Sequence, residues 1–426
     1  MVLAAPTAKA SQRLAEAVRH ELVARGLAEG DAVSRLAGWT STLHRLFHDP
    51  RAASADLAVI DEVSMADVAT LRRALERLPA GCRLLLLGDP DQLASVEPGR
   101  VLSDLVALYT GRTPADIAAA NASAGGAGET LALATSAQHA LSDVQVRLRV
   151  NWRSGDAPPL ARLVQALQTV GGEEAALAIL DDRAAAPAAG LRGGSDGQEL
   201  VWAVRADPPP SPAALIAALW AEHAAWATSL AAAPDAVTAL ARFDAVRLLS
   251  TLRQGEWGSE RLNPLWEATL LRESGAITDE SGHYHGRPLL VQRNRPDLGL
   301  DNGSIGVVWR EDGRLVGRFP GVGSTLSVPL HRLDAWTPAW ILTVHKAQGS
   351  QGGTVEVIGP GPHASGPQRR LATRELVYTG ITRARLRCRV WWDRAGLAEA
   401  LTRRTERAGG FARHLLRAGD GSDNGS

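Results

Sequence analysis

Residues 57–62 read LAVIDE and residues 83–92 read RLLLLGDPDQ, and these two stretches decide the fold. Short runs that are apolar throughout fit strands buried on both faces of a sheet. Each run stops abruptly, the first at Asp61-Glu62 and the second at Gly88-Asp89. A third run, VLAA at residues 2–5, stops in the same way at Pro6-Thr7. Between the runs lie patterns with helical spacing, from Ser11 to Arg25 and from Met65 to Leu78, each preceded or opened by small polar capping residues. Strand and helix in alternation predict a doubly wound parallel sheet. Ligands of such sheets bind at the carboxyl ends of the strands, where all three polar stops fall.

Further along, Thr110 to Ser142 is rich in Ala, Gly, Ser and Thr and reads as a connector. A second sheet is expected to begin with VQVRLRV at 144–150, just before Asn151-Trp152-Arg153. Ala184 to Ser211 reads as a surface loop, and helical patterns follow to about Ala241. From Arg287 to Leu333 short strands (PLLVQ, IGVVW, LVGRF, TLSVP) alternate with Asn-Gly and Asp-Gly turns, the pattern of a small antiparallel barrel. WILTV, TVEVI and RCRVWW then return to parallel-type strands. The expected division is a partial first α/β domain at 1–109, a connector at 110–142, a second α/β domain at 143–260 and 336–417 interrupted by the barrel insertion at 261–335, and a disordered tail at 418–426.

The 426 residues carry 46 acidic and 46 basic side chains, so no global positive field announces nucleic acid. Any DNA site is therefore a local patch. One candidate runs from Gln368 to Arg407, where eleven arginines face four acidic residues, 11 − 4 = +7. Only Lys9 and Lys346 are lysine, leaving 46 − 2 = 44 arginines, so a retained lysine draws notice because arginine does not replace a compact point charge. Cys82 and Cys388 have no metal-ligand spacing and are too few for a disulfide framework. With no secretory signal and no apolar run approaching the roughly 20 residues of a membrane span, a cytoplasmic protein without membrane contact is expected.

Adjacent carboxylates at the end of a buried strand can divide two tasks. Asp61 can hold Mg²⁺, and Glu62 can orient and deprotonate the water that attacks a γ-phosphate. Taken alone the pair better suits the cap of the following helix, where negative charge is welcome. Gln92, on the neighbouring strand end, can sense the γ-phosphate, though alone it also suits a turn in an acidic loop. The two strand ends together favour a nucleotide site.

The segments LAAPTAKASQRL, STLHRL, VIDEVSM, LLLGDPDQLASVEPG, LRVNWRS, GRPLLVQRN, DNGSIG, TVHKAQGS and RELVYTGITRAR occur in that order between Leu3 and about Arg394. In this they resemble the superfamily 1 helicases of the RecD type, whose namesake is the alpha subunit of exodeoxyribonuclease V. The resemblance implies two RecA-like motor domains, the first incomplete here, with an SH3-like β-barrel inserted in the second. It implies ATP and Mg²⁺ as cofactors, with Asp61 on the metal and Glu62 as general base. Gln92 would couple nucleotide to DNA, Gln351 would lie toward the ribose, and Arg153 and Arg383 would reach the γ-phosphate from the second motor domain. Pro6, Thr7, His44, Thr343, His345, Lys346, Gln348 and Ser350 match positions facing single-stranded DNA, where hydroxyl, amide and imidazole groups grip phosphates and sugars without reading sequence. Arg293, Asn294, Asn302 and Gly303 fall in recurrent barrel segments, although Asn302-Gly303 equally serves turn formation. By resemblance the activity is 5′–3′ translocation and unwinding of DNA ends in double-strand-break repair by recombination, with RecB and RecC subunits as partners.

Two departures qualify that expectation. A motor of this class needs a glycine-rich phosphate loop ending in Gly-Lys, and no Gly-Lys pair occurs in the sequence. In the family that loop precedes the strand matching VLAAPT, so the chain is expected to begin inside its first domain, through a start assigned too late. On that expectation these residues by themselves do not turn over ATP, and the first sheet exposes apolar strand surface. The second departure is Gln351, where relatives generally carry an acidic residue, so the position offers a hydrogen bond but no charge. Alternatives are a stand-alone or relaxase-linked helicase of the same superfamily, and a non-hydrolysing DNA-binding remnant.

Overall fold

The computed structural model describes residues 1–26, 39–95, 97, 99–109, 146, 148, 158–169, 171–181, 202–204, 209–321 and 325–405. The connector at 110–142, most of the VQVRLRV stretch, Arg153 and the tail at 418–426 lie outside them. The chain divides into two compact units, Met1–Val150 with Thr405–Ser426, and Asn151–Arg404. Among the described residues no helix is long and apolar enough to cross a membrane.

In the first unit four strands pair in the order β2-β1-β3-β4, all parallel. They are β1 (Val2–Ala5), β2 (Thr40–Thr42), β3 (Leu57–Ile60) and β4 (Arg83–Leu86). The parallel sheet expected from LAVI and VLAA is present, with β1 fully buried and β3 nearly so. Helix α1 (Ala8–Ala24) starts earlier than the expected Ser11, because Thr7 caps it by accepting from the Ala10 N–H at 3.2 Å. β2 runs into the short helix α2 (Leu43–Leu46), which follows it directly. The helix expected from Met65 begins only at Val68 (α3, Val68–Leu75). Val63–Met65 forms a separate 3₁₀ turn, and Asp67 caps α3 by accepting from the Thr70 N–H at 2.7 Å. A last helix, α4 (Val101–Tyr109), packs Val101 and Leu102 into the same core as Leu43, Leu46, Ala58, Ile60 and Leu71.

RLLLL is not a strand buried on both faces. β4 is the edge of its sheet, and Leu84 and Leu85 are 42% and 47% exposed. An apolar run states that a strand tolerates burial, whereas strand order decides whether it gets it.

The second unit opens with α5 (Pro158–Gln168) and α6 (Glu173–Asp181). Its sheet has the order β12-β6-β13-β14-β5, again all parallel. The strands are β5 (Trp202–Val204), β6 (Val246–Ser250), β12 (Ile341–Thr343), β13 (Gly352–Ile358) and β14 (Ala384–Trp391). The stretches WILTV, TVEVI and RCRVWW supply β12, β13 and β14 as expected. β5 lies inside the stretch read as a surface loop, which is corrected there. β6, a strand with neighbours on both sides, was not expected because Arg247 interrupts its apolar run. That guanidinium is buried, pairing with the Asp244 carboxylate and donating to the carbonyls of Phe243 at 2.7 Å and Val246 at 3.2 Å, while its Nε is left without a partner. Helices α7 (Pro212–Ala231), α8 (Ala236–Phe243) and α9 (Ser259–Ser274) surround a tryptophan cluster in which Trp226, Trp266 and Trp340 meet at 5.6–6.4 Å between ring centroids.

Between α9 and β12 lies an inserted antiparallel sheet of order β10-β9-β8-β7-β11. It comprises β7 (Pro288–Val291), β8 (Ile305–Glu311), β9 (Arg314–Pro320), β10 (Thr325–Pro329) and β11 (Trp336–Pro338). The four expected strands are all present, and β11 is an addition that pairs with β7. Leu289, Val291, Val308, Phe319 and Val328 form one apolar core beneath it. No pairing between the end strands closes a cylinder among the described residues. The insertion is anchored by a buried chain. Trp340 Nε1 donates to Tyr284 at 2.8 Å, the Tyr284 hydroxyl donates to Glu267 at 2.8 Å, and Arg287 binds both Glu267 oxygens at 2.6 Å. The unit ends with α10 (Gly366–Arg370), α11 (Arg374–Ile381), β14 and α12 (Arg394–Thr402).

Candidate nucleotide and nucleic-acid sites

In the first unit β3 delivers Asp61 and Glu62 at its carboxyl end, and β4 delivers Gly88 to Gln92 beside them. The ends are tied together: Leu87 N–H donates to Ile60 O at 2.8 Å and Val63 N–H to Leu87 O at 2.9 Å. Asp61 accepts from the Glu62 N–H at 2.8 Å, and burial raises its carboxyl above the ordinary range, against the lowering effect of that bond. Glu62 has φ +52° and ψ +40°, the left-handed region that a residue with a Cβ rarely adopts. The helix-cap reading of the pair is not what is found. Asp67 caps α3, and the Glu62 side chain makes no cap hydrogen bond to the 3₁₀ turn.

Gln92 is 8% exposed, in a turn organised by Asp89. Asp89 accepts from Asp91 N–H at 3.0 Å and from Gln92 Nε2 at 3.3 Å, while Gln92 Oε1 is buried without a hydrogen-bond partner. A buried orphan acceptor of this kind is rare unless a ligand completes it. Among the described residues no three His, Cys, Asp or Glu side chains converge as a metal cage. Asp61 alone is the donor set expected for Mg²⁺, which binds through one or two carboxylates together with phosphates and water.

Of the expected DNA contacts in this unit, Thr7 and Pro6 follow β1, and Thr7 Oγ is committed as the α1 cap. His44 is exposed on α2, its ring 5.6 Å from Phe47.

In the second unit the TVHKAQGS segment forms a turn after β12. Thr343 Oγ accepts from Lys346 N–H at 3.2 Å, and His345 is exposed rather than packed in the core. Gln348 is half-buried. Ser350 is turned inward, 2% exposed, donating to Ala347 O at 2.6 Å, so its hydroxyl does not face solvent. Lys346 Nζ donates to Asn302 Oδ1 at 2.8 Å, which joins this turn to the inserted sheet. Arg383 is also 2% exposed, donating to Thr379 O at 3.1 Å and Ser350 O at 3.4 Å. Gln351 accepts from Arg385 Nε at 2.9 Å.

Three further residues were not singled out by sequence reasoning. Arg253, after β6, pairs with Glu260 at 2.7 Å and lies near Lys346. Its signal was the polar stop after VRLLS, hidden with the strand itself. Arg374 and Glu173 form the second case, an ion pair at 2.6 Å linking α11 to α6. Arg374 stood inside the quoted RELVYTGITRAR, but an arginine facing inward cannot be told from one facing out by its letter.

The comparisons with known proteins fit this geometry. Residues 1–118 match an AAA domain and residues 338–391 a UvrD-like helicase C-terminal domain. The RecBCD enzyme subunit RecD of Mycobacterium tuberculosis is 33% identical over 431 residues, covering 99% of this chain and 65% of the relative. That of Mycolicibacterium smegmatis is 33% identical over 434 residues, 98% of this chain and 66% of the relative. The ATP-dependent RecD2 DNA helicase of Deinococcus radiodurans is 28% identical, over 90% of this chain and 41% of its own length. A Bacteroides Pif1 helicase structure with ADP-AlF3 and single-stranded DNA aligns with a TM-score of 0.42 at 14% identity, over 99% of this chain and 94% of that one.

The first parallel sheet lies in the stretch that matches an AAA domain, and the TVHKAQGS turn lies in the stretch that matches a UvrD-like helicase C-terminal domain. Over nearly its whole length the chain is similar to RecD subunits. It spans about two thirds (65%) of the length of the RecD relative from Mycobacterium tuberculosis.

Proposed function

We propose that this chain works within an ATP-driven, 5′–3′ single-stranded-DNA translocase and helicase, as the RecD-type subunit of a complex with RecB- and RecC-type partners that processes duplex ends in recombinational repair. The observation that carries the reading is the pairing of Asp61-Glu62 with Asp89-Gln92 at the ends of two neighbouring parallel strands, with Gln92 Oε1 buried and unpartnered. In this reading Asp61 would hold Mg²⁺, which would neutralise phosphate charge. Glu62 orients the attacking water and accepts its proton, and its fixed backbone spares it reorganisation as the reaction proceeds. Gln92 accepts from the attacking water through Oε1, and its amide N–H₂ can donate to the γ-phosphate. Arg153 and Arg383 would stabilise the transferring group, with Gln351 toward the ribose. Pro6, Thr7, His44, Thr343, His345, Lys346 and Gln348 hold the single strand, and Ser350 shapes the turn that presents them.

The test is Glu62→Gln in the full-length gene product. The variant should keep ATP binding and lose about 10²- to 10⁴-fold in DNA-stimulated hydrolysis, the range of a general base. Near-normal turnover would remove Glu62 from that role. Co-purification with RecB- and RecC-type subunits separates a subunit from a stand-alone helicase.

A further inference from the structure

A side-chain pair, Lys346 and Asn302, joins the inserted sheet to the TVHKAQGS turn. The Asn302 end of that pair is built with care. Asn302 N–H is held by Asn294 Oδ1 at 2.8 Å, Gly303 N–H by Val291 O at 2.9 Å, and Ser304 N–H by Asp301 O at 3.0 Å. Ser304 Oγ in turn accepts from Asp301 N–H at 3.1 Å. Gly303, at φ +91°, makes the turn that no side chain with a Cβ would make cheaply. The turn therefore delivers a single amide oxygen at a fixed place. The Lys346 end is one of only two lysines in the chain, half-buried, on a backbone pinned by Thr343.

We propose that Asn302 is a positioning residue for Lys346, so that the inserted sheet and the TVHKAQGS turn act as one element holding a phosphodiester of the single strand. A lysine side chain gives up rotamer entropy when immobilised. Asn302 imposes most of that loss before DNA arrives, leaving two ammonium N–H groups for a phosphate. Exposed Arg253 adds a cation close by, and Arg293 and Asn294 stand exposed on the same inserted sheet. The proposal rests on the DNA reading of Lys346 given above.

A double-mutant cycle on the full chain tests it, with affinity for fluorescein-labelled oligothymidine read by anisotropy. Asn302→Leu keeps the branching at Cγ and removes the acceptor, and Asn302→Asp keeps an acceptor but adds negative charge. Lys346→Ala should weaken binding and make the salt dependence shallower by up to about 0.7 in log–log slope, the value of one single-strand phosphate contact. Asn302→Leu alone should weaken binding about ten- to thirtyfold, the rotamer restriction of one lysine side chain. In the Lys346→Ala background it should change affinity less than about twofold, because its partner is already gone. Asn302→Asp should also weaken binding, by repelling the phosphate. Equal effects of Asn302→Leu in both backgrounds would make Asn302 a structural residue or an independent contact, and tighter binding by Asn302→Leu would make the pair an inhibitory latch. Either overturns the proposal. Unchanged affinity in Lys346→Ala would instead overturn the DNA reading of the turn, and the proposal with it.

Discussion

Glu62 occupies left-handed backbone at a cost of about 1–2 kcal/mol for a residue with a Cβ. Helix capping does not explain it, since Asp67 caps α3. A strained carboxylate at a strand end is the pattern of a functional position, and fixing the backbone fixes where the carboxylate starts. Lys346 shows a related conflict between fold and use. Burial, helped by the Arg253 charge, holds its ammonium below the ordinary 10.5. The folded chain thus binds that proton less tightly than the unfolded chain does. Stability from this residue is present above pH 10.5 and lost as the pH falls through the depressed folded value. Lys346→Met should therefore raise the melting temperature at neutral pH while weakening DNA binding, and the gain should shrink as the pH is raised past the lysine range. A lower melting temperature at neutral pH would mean that the Asn302 bond outweighs the burial cost.

Among elements, α11 is the most heavily committed, with all eight of its residues buried. Its first residue, Arg374, donates to the carbonyls of Leu167 in the last turn of α5 (2.7 Å) and of Thr169 just past it (2.6 Å), and pairs with Glu173 of α6 at 2.6 Å. Gln168 adds a bond to the Tyr378 hydroxyl at 3.0 Å. Arg374→Met keeps the apolar stem but strands the carbonyls and the carboxylate, so it should cost about 3–5 kcal/mol by denaturant unfolding. Adding Glu173→Gln should recover part of that loss, and a cost below about 1 kcal/mol would show that packing alone holds α5 and α6. α11 was legible as a motif, but its clamp was not, because sequence does not say which arginines point inward. The same limit explains the strands. VLAA and LAVI were readable because burial on both faces leaves an unbroken apolar run. RLLLL looked alike and proved an edge, since order in a sheet is a tertiary fact. VRLLS escaped because Arg247 is buried against the Asp244 carboxylate and local carbonyls, a solution invisible to periodicity. At the site, Asp61, Glu62 and Gln92 were readable from abrupt polar stops, whereas the Lys346–Asn302 pair spans 44 positions and needed the fold.

Across the whole molecule charge sums to zero, so DNA affinity depends on which cations remain available. The arginine-rich stretch from Gln368 to Arg407 suggested a basic strip, yet the structure spends much of it internally. Arg369 donates to Pro362 O at 2.9 Å, Arg374 and Arg383 are buried, and Arg385 binds Gln351. Arg389 pairs with Glu222 at 3.0 Å, Arg403 with Glu399 at 2.5 Å, and Arg404 lies 3.9 Å from Glu375. These residues stitch α10, α11, β14 and α12 together instead of presenting a field to solvent. Single-strand affinity should then fall only gently with salt. Each phosphate contact contributes a log–log slope of about −0.7, so two to four contacts around Lys346 and Arg253 give about −1.5 to −3, whereas seven uncompensated arginines would give about −5. Arg370→Gln with Arg387→Gln, removing two exposed or half-exposed members of the strip, should leave the slope within about 0.5 of wild type. Anisotropy of labelled oligothymidine across a salt series measures both. A slope near −5 that drops by more than one unit in the double variant would return the strip to the DNA, and would mean that the internal pairs open when the strand binds.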